Sequence, residues 1–330
     1  MAVVTNTFQT TANKANRESL GDFISMITPR ETPLYSGMSK GSQDATYDEW
    51  IQRNLRAPAA NAQLEGDQYT YNAFTPSVRV GNYSQIVRDS AIFTRTQDKV
   101  KNAGNSETTE RAKLEVGLAL RKDVELQLIS NTASVGGATR ISGGLPSWIT
   151  TNASRGATGA NGGFNTGTKL TVAETLGTQR AFTQTLLDDN LQSVFQAGGD
   201  VSDIMVSPYV KRVFVTFMSN PNVAVFRHPV ENGNDNRIIS NAEYYDGPHG
   251  TVKVVQNRVM GLSAATARRV FLIDWSMLAY KWLRPIAEDK EVVVNADARA
   301  FVLVGEGSLE VKNEAGLGVV ADVFGLTAST

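Results

Sequence analysis

The sequence of 330 residues contains no cysteine and only two histidines. The absence of cysteine excludes disulfide bonds, thiol catalysis and cysteine–zinc sites. His228 and His249 each stand beside a proline, and we interpret both as exposed loop residues. Two histidines cannot supply a HExxH zinc motif or a three-histidine metal site, and a serine–histidine–acid triad would have to use one of these loop residues.

The sequence also lacks the local motifs of nucleotide binding. The patterns GxxxxGK[ST] and GxGxxG do not occur, which removes a phosphate-binding loop and a dinucleotide fingerprint. The pattern GxSxG occurs once, at residues 37–41, but we expect no nucleophile elbow there. Gly305 and Gly307 form an isolated GxG, which we interpret as a tight bend between two strands. The glycine-rich tract at 156–163 has no following lysine and is interpreted as a mobile loop.

Neighbouring carboxylates are the remaining candidates for chemistry. Asp188 and Asp189 are adjacent in sequence, so on a helix they diverge, and a solvated helix face is the favoured interpretation. The stretch 231–236 offers oxygen ligands for calcium but lacks the EF-hand spacing, so a polar turn is favoured. The sequence therefore predicts no catalytic, cofactor-binding or metal-binding residues, and we expect the protein not to be an enzyme.

Neither sign of charge is in excess, because 32 basic and 33 acidic side chains give a net charge of −1. No dense run of lysine or arginine is present, so the chain lacks the basic footprint of a free nucleic-acid binder. No apolar run approaches the ~18 residues of a membrane span. The first residues lack the apolar core of a signal peptide, and we expect synthesis in a cytoplasm.

The first hundred residues predict segments that protrude from the body of the protein. Residues 1–15 are polar and predict an extended arm, followed by a short helix that ends before Pro29. From 46 to 100 apolar and polar residues alternate, notably at 68–72, and this alternation predicts a long two-stranded hairpin. A lone hairpin is marginally stable in water, so it needs another surface to lie on.

The stretch 105–131 predicts the longest helix of the chain. Its apolar residues recur every four positions, at Val116, Leu120, Val124 and Leu128. At ~1.5 Å per residue the helix would be about 40 Å long, which is typical of a strut. Arg121 and Glu125 are expected to form an i,i+4 ion pair on it. Residues 133–168 are rich in glycine and asparagine and predict a long loop, either functional or mobile.

A second unit begins near residue 170. Thr171 and Glu174 predict a capping box at the start of a helix that ends at Gly198. Ser207 and Pro208 predict the cap and the first position of another helix, which follows a strand at 203–207. The remaining strand-like segments are 251–255, 269–273, 277–283, 291–294, 300–304, 308–312 and 317–323. Because helices come first and strands cluster late, the sequence predicts an α+β fold.

The order of these parts resembles that of major capsid proteins of tailed bacteriophages with the Hong Kong 97-type fold. The segments that carry the resemblance are ArgGluSerLeu (17–20), ProArgGluThrProLeu (29–34), GluTrp (49–50), GluGlyAsp (65–67), AsnTyrSerGlnIle (82–86) and ArgLysAspValGlu (121–125). The resemblance covers most of the chain, and its weight lies in the order of the segments.

The resemblance implies a division of the chain into four parts. Residues 1–55 would form an N-terminal arm and residues 56–100 an extended hairpin loop. Residues 101–169 and 290–330 would form a peripheral domain with a long spine helix, and residues 170–289 an axial domain. The implied function is a major capsid protein that self-assembles into the hexamers and pentamers of an icosahedral head around double-stranded DNA.

The resemblance also implies the partners and the location of the protein. These are copies of the chain itself, a portal protein, a separate scaffold protein and, as an optional addition, a decoration protein. We expect DNA to be enclosed without sequence-specific binding, no cofactor, no membrane, assembly in the host cytoplasm and a final place in the virion. The residues expected at subunit interfaces are Leu20, Phe23, Ile24, Pro33, Trp50, Tyr69, Tyr71, Val78, Val80 and Ile86.

Three alternatives remain open from the sequence. The nearest keeps the fold and makes the protein an encapsulin-like nanocompartment shell, which would need a groove for cargo peptides. A hydrolytic or carbohydrate-active enzyme would use scattered carboxylates in an acidic cleft. A phage tail or surface protein would form tubes or trimers instead of closed shells.

Overall fold

The structure, a computed structural model, describes residues 30–100, 109–218, 243–292, 294 and 296–325. Its helices are α1 Pro33–Gly37, α2 Arg95–Lys99, α3 Thr109–Ile129, α4 Gln184–Ala197, α5 Pro208–Met218 and α6 Ala264–Ala267. Its strands are β1 Ser39–Ser42, β2 Tyr47–Gln52, β3 Val78–Tyr83, β4 Gln85–Thr94, β5 Ala153–Ser154, β6 Gly163–Asn165, β7 Leu170–Val172, β8 Asp203–Val206, β9 Tyr244–Gly247, β10 Gly250–Gln256, β11 Val270–Ile273, β12 Leu278–Glu288, β13 Ala298–Val311 and β14 Gly318–Val320.

Helix α3 is the spine of the subunit. The apolar residues on its buried face are Leu120, Val124, Leu128 and Ile129. This face confirms the apolar row expected from the sequence, and the 21 described residues of α3 span about 32 Å at ~1.5 Å per residue. The expected ion pair of Arg121 with Glu125 is wrong, because Glu125 is buried and its carboxylate binds the backbone of α1.

A four-stranded sheet of order β1-β12-β13-β4 packs on α3. The bend expected at Gly305 and Gly307 is wrong, because β13 runs through both glycines as one strand. A Cβ atom at Gly305 would lie 2.7 Å from the side chain of Ile286, and one at Gly307 would lie 2.6 Å from the ring of Tyr280. The glycines therefore make room for side chains of the neighbouring strand β12.

A six-stranded sheet of order β5-β14-β11-β8-β10-β9 lies between two hydrophobic cores. In β11, Val270 and Leu272 pack with α4 and α5, whereas Phe271 and Ile273 pack with α3. This alternation follows from the period of two along a strand. Strand β14 belongs to this sheet, whereas β12 belongs to the four-stranded sheet on α3.

Helix α4 begins after Thr183, whose side chain caps it. The capping box expected at Thr171 and Glu174 is therefore wrong. Thr171 lies in strand β7, and the carboxylate of Glu174 is buried in ion pairs with Arg155 and Arg269. Arg155 and Arg269 lie 19 and 95 residues away from Glu174 in sequence, so neither belongs to a helix that begins there.

The other predicted ends of α4 and α5 are confirmed. Gly198 follows α4 with φ of +93°, a left-handed conformation that favours glycine. Ser207 precedes α5, and its hydroxyl accepts a hydrogen bond from the N–H of Val210 at 3.2 Å. Pro208 occupies the first position of α5, where the missing N–H costs nothing.

The glycine-rich stretch 133–168, which was expected to be a functional or mobile loop, packs against the rest of the subunit. Trp148 and Ile149 within it are buried, and its strands β5 and β6 pair with β14 and β7. At Gly144 a Cβ atom would lie 2.0 Å from the carbonyl oxygen of Ser130. The glycines here permit close approach of backbone segments.

The stretch 46–100 contains three strands. Strand β2 pairs antiparallel with β3, and β4 pairs antiparallel with β13 along its whole length. Residues 53–77, between β2 and β3, form no strand. The strand expected at 68–72 is therefore wrong, because the alternating residues have no neighbouring strand to pair with in this subunit. The described residues of 291–294 likewise lie outside the strands.

Candidate assembly surface

Residues 53–79 form a long stretch in which every residue is solvent-exposed, and we call this stretch the protrusion. Its large apolar and aromatic side chains are Leu55, Leu64, Tyr69, Tyr71 and Phe74, which are 95%, 79%, 91%, 94% and 75% exposed. Aromatic side chains of this size dominate the energetics of cores and interfaces when they are buried. Their clustering on one exposed segment marks an interaction site.

The base of the protrusion is held firmly by the subunit. Trp50 of β2 donates a hydrogen bond from Nε1 to the carbonyl oxygen of Val311 at 2.9 Å, and its ring centroid lies 5.4 Å from that of Trp148. Beyond the paired strands, the guanidinium of Arg53 lies 3.9 Å from the ring centroid of Phe74. This cation–π contact joins the two arms of the protrusion.

The tip of the protrusion is a turn at residues 64–67. The N–H of Asp67 donates to the carbonyl oxygen of Leu64 at 3.2 Å, and Gly66 takes φ of +85°, which favours glycine. Between residues 61 and 72 the only charged side chains are Glu65 and Asp67. The tip is therefore acidic. If the chain between the end of β2 and the tip were fully extended, it would span at most about 45 Å.

A buried carboxylate fixes the point where the protrusion returns to the sheet. Glu306 of β13 accepts hydrogen bonds from Ser84 at 2.7 Å, Arg140 at 2.6 Å and Arg284 at 3.2 Å. Burial alone would raise the pKa of Glu306, but the hydrogen bonds from Ser84 and Arg140 and the charge of Arg140 outweigh it. The pKa of Glu306 therefore lies below its ordinary value.

A second buried carboxylate ties the N-terminal part of the described chain to the spine helix. Glu125 of α3 accepts hydrogen bonds from the backbone N–H groups of Leu34 at 2.9 Å and Tyr35 at 2.7 Å, and from the side-chain amide of Asn257 at 2.6 Å. Burial raises the pKa of Glu125 in spite of these bonds. Burial also lowers the pKa of the nearby Lys40 to about 8.

The residues expected at interfaces fall into four groups in the structure. Leu20, Phe23 and Ile24 lie outside the described residues. Trp50 is half-buried and Val80 is 4% exposed, and both pack in the core of their own subunit. Pro33 is half-buried at the start of α1. Tyr69, Tyr71, Val78 and Ile86 are exposed.

The sequence pattern did not single out Leu55, Leu64 or Phe74, although all three are highly exposed. These residues stand apart from one another among polar and small residues, and they follow neither the period of a helix nor that of a strand. The signal that could have found them is the long stretch without any regular period, which carries large apolar side chains that no local element can bury.

The other chemical candidates remain isolated side chains. His249 is exposed and stacks on Phe195, with ring centroids 5.2 Å apart. Asp188 accepts a hydrogen bond from the hydroxyl of Tyr245 at 2.5 Å, so it is not part of the solvated helix face that was expected. His228 and the stretch 231–236 lie outside the described residues.

Within the residues that the structure describes, no helix is long and apolar enough to cross a membrane. In the same ranges no group of three or more His, Cys, Asp or Glu side chains could hold a metal ion. The exposed aromatic side chains of the protrusion are a feature of the described chain that needs a functional explanation.

Comparison with known proteins supplies that explanation. The family model of the SU10 major capsid protein matches residues 3–324. The chain belongs to the SU10 major capsid protein family. This membership confirms the expected role of a phage major capsid protein, which is a structural protein. As a capsid protein it is a component of the virion.

A curated relative and several solved structures are similar to the SU10-family chain. The major capsid protein of Escherichia phage Phieco32 is 27% identical over 116 residues, which are 35% of this chain and 33% of that protein. The chain thus matches about a third of the length of this relative.

The solved structures share the fold at low sequence identity. The Cyanophage A-1(L) capsid asymmetric unit has a TM-score of 0.69 at 12% identity and covers 96% of this chain and 98% of its own. The holo-SrpI encapsulin complex of Synechococcus elongatus PCC 7942 has a TM-score of 0.57 at 11% identity, with coverages of 96% and 95%. The expected Hong Kong 97-type α+β fold is confirmed.

Proposed function

We propose that copies of this capsid protein assemble into the hexamers and pentamers of an icosahedral phage head, and that the protrusion of each copy lies on a neighbouring copy. The observation that carries the proposal is the exposure of the protrusion, whose aromatic side chains its own subunit does not bury. In a shell each subunit has copies of itself as permanent neighbours, so these side chains are buried by assembly.

The energy available from the protrusion is of the size that assembly requires. Each large apolar or aromatic side chain contributes about 1.5–3 kcal/mol when it is fully buried. Several such contributions are comparable to the loss of translational and rotational freedom on association, about 4–15 kcal/mol. A contact of this kind repeated at every subunit supports a stable shell even where each single contact is weak.

The proposed interface residues in the described chain are Tyr69, Tyr71, Val78 and Ile86, together with Pro33 at the start of α1. Tyr69 and Tyr71 are the most exposed of these. Leu20, Phe23 and Ile24 of the arm are further proposed contacts. Removal of residues 1–28 is expected to leave a soluble protein that fails to form normal shells, and normal particles in electron micrographs would contradict that role of the arm.

We further infer that the head encloses double-stranded DNA without sequence-specific contacts. The near balance of 32 basic and 33 acidic side chains supports this, because a wall without excess positive charge does not hold phosphates strongly. A portal protein, a separate scaffold protein and an optional decoration protein are the proposed partners, and the host cytoplasm is the proposed place of assembly. The three partner proteins and the place of assembly are proposed from the family resemblance.

The proposal is tested by substitution of alternate residues in the protrusion. Tyr69→Ser/Tyr71→Ser removes two exposed rings, and Thr70→Ser/Asn72→Ser changes the interleaved polar residues as a matched control. We expect the tyrosine variant to fold as a subunit but to yield few closed shells by negative-stain electron microscopy. The control is expected to form shells as the unchanged protein does. Normal shells from the tyrosine variant would contradict the proposal.

A nanocompartment shell is the second candidate function, because an encapsulin complex shares the fold over 96% of the chain. The content of the particles separates the two functions. We expect particles from infected cells to contain long DNA that resists added nuclease. Particles that contain a cargo protein and no protected DNA would favour the nanocompartment.

A further inference from the structure

Several charged side chains meet at one edge of the six-stranded sheet. Strand β14 pairs parallel with β5 and antiparallel with β11, so the ends of β5 and β14 lie at the same edge as the start of β11. Arg155 directly follows β5, Arg269 directly precedes β11, and Asp322 is the second residue after β14. Together with Glu174 and Arg180 they form a group that we call the arginine cluster.

At the centre of the cluster one carboxylate lies between two guanidinium groups. The carboxylate of Glu174 pairs with Nη1 of Arg155 and with Nε of Arg269, the latter at 2.5 Å. The side chains of Arg155 and Arg269 are 5% and 1% exposed, and that of Glu174 is fully buried. Two positive charges and one negative charge are therefore held together where little water can solvate them.

Both guanidinium groups also have a nitrogen that the chain leaves without an acceptor. Nε of Arg155 donates to Oδ1 of Asn161 at 2.6 Å, and Nη1 of Arg269 donates to the carbonyl oxygen of Ala265 at 2.8 Å. The Nη2 atoms of Arg155 and Arg269 are buried and have no hydrogen-bond partner among the described residues. Each Nη2 carries two N–H donors, so the cluster has unused donors for a group that accepts hydrogen bonds.

The surrounding side chains do not cancel the positive charge. Asp322 is 2% exposed, and Arg180 is half-buried and donates to the hydroxyl of Ser154 at 2.9 Å. Burial lowers the pKa of Arg180; the charge of Asp322 opposes this effect and that of Arg155 adds to it. Three guanidinium groups against two carboxylates leave one positive charge, and arginine does not lose its proton in a protein.

We propose that the arginine cluster is a binding site for a small monovalent anion, chloride, which accepts hydrogen bonds from Nη2 of Arg155 and Nη2 of Arg269. A water molecule could also accept such bonds, but it would leave the buried positive charge uncompensated, which is costly. The burial of both Nη2 atoms restricts the site to an ion of halide size. The bound ion would hold the end of β5 against the start of β11, and this inference does not depend on assembly of the shell.

Urea unfolding of the full-length unassembled subunit tests the site. Chloride is replaced stepwise by gluconate at constant sodium concentration, so that ionic strength stays the same and only the small anion changes. Arg155→Met removes one positive charge of the cluster and leaves Glu174 paired with Arg269. Arg79→Met is the matched control, because Arg79 is 66% exposed and pairs with Glu49 outside the cluster.

We expect chloride to lower the equilibrium constant of unfolding by about tenfold once its concentration reaches ten times its dissociation constant. Bromide is expected to act as chloride does, and the Arg79→Met control to respond as the unchanged protein does. The response is expected to be lost in Arg155→Met. Equal stability of the unchanged protein in chloride and in gluconate would overturn the proposal, and so would an undiminished response of Arg155→Met.

Bromide in crystals of the unchanged subunit locates the ion directly, and this measurement decides the question even if Arg155→Met does not fold. We expect an anomalous-scattering peak beside the Nη2 atoms of Arg155 and Arg269. Peaks at the protein surface alone would show an adventitious ion only and would overturn the proposal.

Discussion

Replacement of Glu125 by glutamine probes the contact that joins the N-terminal part of the described chain to the spine helix. The carboxylate accepts three hydrogen bonds, from the N–H groups of Leu34 and Tyr35 and from the side chain of Asn257, at 2.6 to 2.9 Å. A glutamine side chain has one acceptor oxygen, and its amide group would face a donor that it cannot bind. At least one buried donor therefore loses its partner.

The size of the effect follows from these contacts. A buried donor without a partner costs about 1–3 kcal/mol. Relief from burying a charge offsets part of this cost, because burial raises the pKa of Glu125 and the neutral amide carries no such penalty. We expect Glu125→Gln to lower the free energy of unfolding by about 2 kcal/mol.

The assay is urea unfolding of unassembled subunits, followed by circular dichroism. Trypsin cleavage after Lys40 reports release of α1 from the spine helix, and we expect it to be faster in the variant. Glu115→Gln is the matched control on the same helix, because Glu115 is exposed and pairs with Arg111 on the helix surface. The control is expected to change stability by at most about 0.5 kcal/mol. Equal stability of Glu125→Gln and the control would refute the reasoning.

Three further predictions concern stability of the unassembled subunit, measured by chemical denaturation. Gly117→Ala is expected to stabilise α3 by about 0.5–1 kcal/mol, because a Cβ atom would meet only Leu303 at 3.7 Å; destabilisation would contradict the open space there. Gly144→Ala is expected to cost at least about 2 kcal/mol, because its Cβ atom would lie 2.0 Å from Ser130 O. Glu306 has a depressed pKa, so its stabilisation is complete above its ordinary pKa of 4.5 and is lost as pH falls through the lower folded value. The difference in stability between the unchanged protein and Glu306→Gln should therefore shrink as pH is lowered below about 4, and a constant difference would contradict it.

Local signals predicted the parts of the fold that depend on neighbours in sequence. The end of α4 at Gly198 and the start of α5 at Ser207 and Pro208 are confirmed, because each is decided by backbone hydrogen bonds within one helical turn. The apolar row of α3 was equally local, since a spacing of four residues places side chains on one face.

Contacts between distant segments account for the wrong predictions. Thr171 and Glu174 have the spacing of a capping box, but Arg269 reaches Glu174 from 95 residues away and holds it as a buried ion. In the sequence, Gly305 and Gly307 have the pattern of a bend. In the structure, side chains of β12 occupy the space next to them. The sequence pattern alone does not show that Arg269 reaches Glu174 or that β12 covers the two glycines. Both placements depend on how the sheets assemble.

The candidate site was predictable in kind but not residue by residue. The sequence shows that Tyr69 and Tyr71 alternate with polar residues, and the structure leaves both exposed. Trp50 and Val80 carry the same apolar signal, yet they pack in the core of their own subunit. An apolar residue in a strand can be buried in the core of its own subunit or at an interface with another copy. The arrangement of the sheets decides which of the two occurs.

Electron cryo-microscopy of assembled particles tests the central claim most directly. The claim predicts that the density for residues 53–79 lies against a neighbouring subunit, with the rings of Tyr69 and Tyr71 removed from solvent. Density that leaves this segment extended into solvent, or folds it onto its own subunit without contact to a neighbour, would contradict the account.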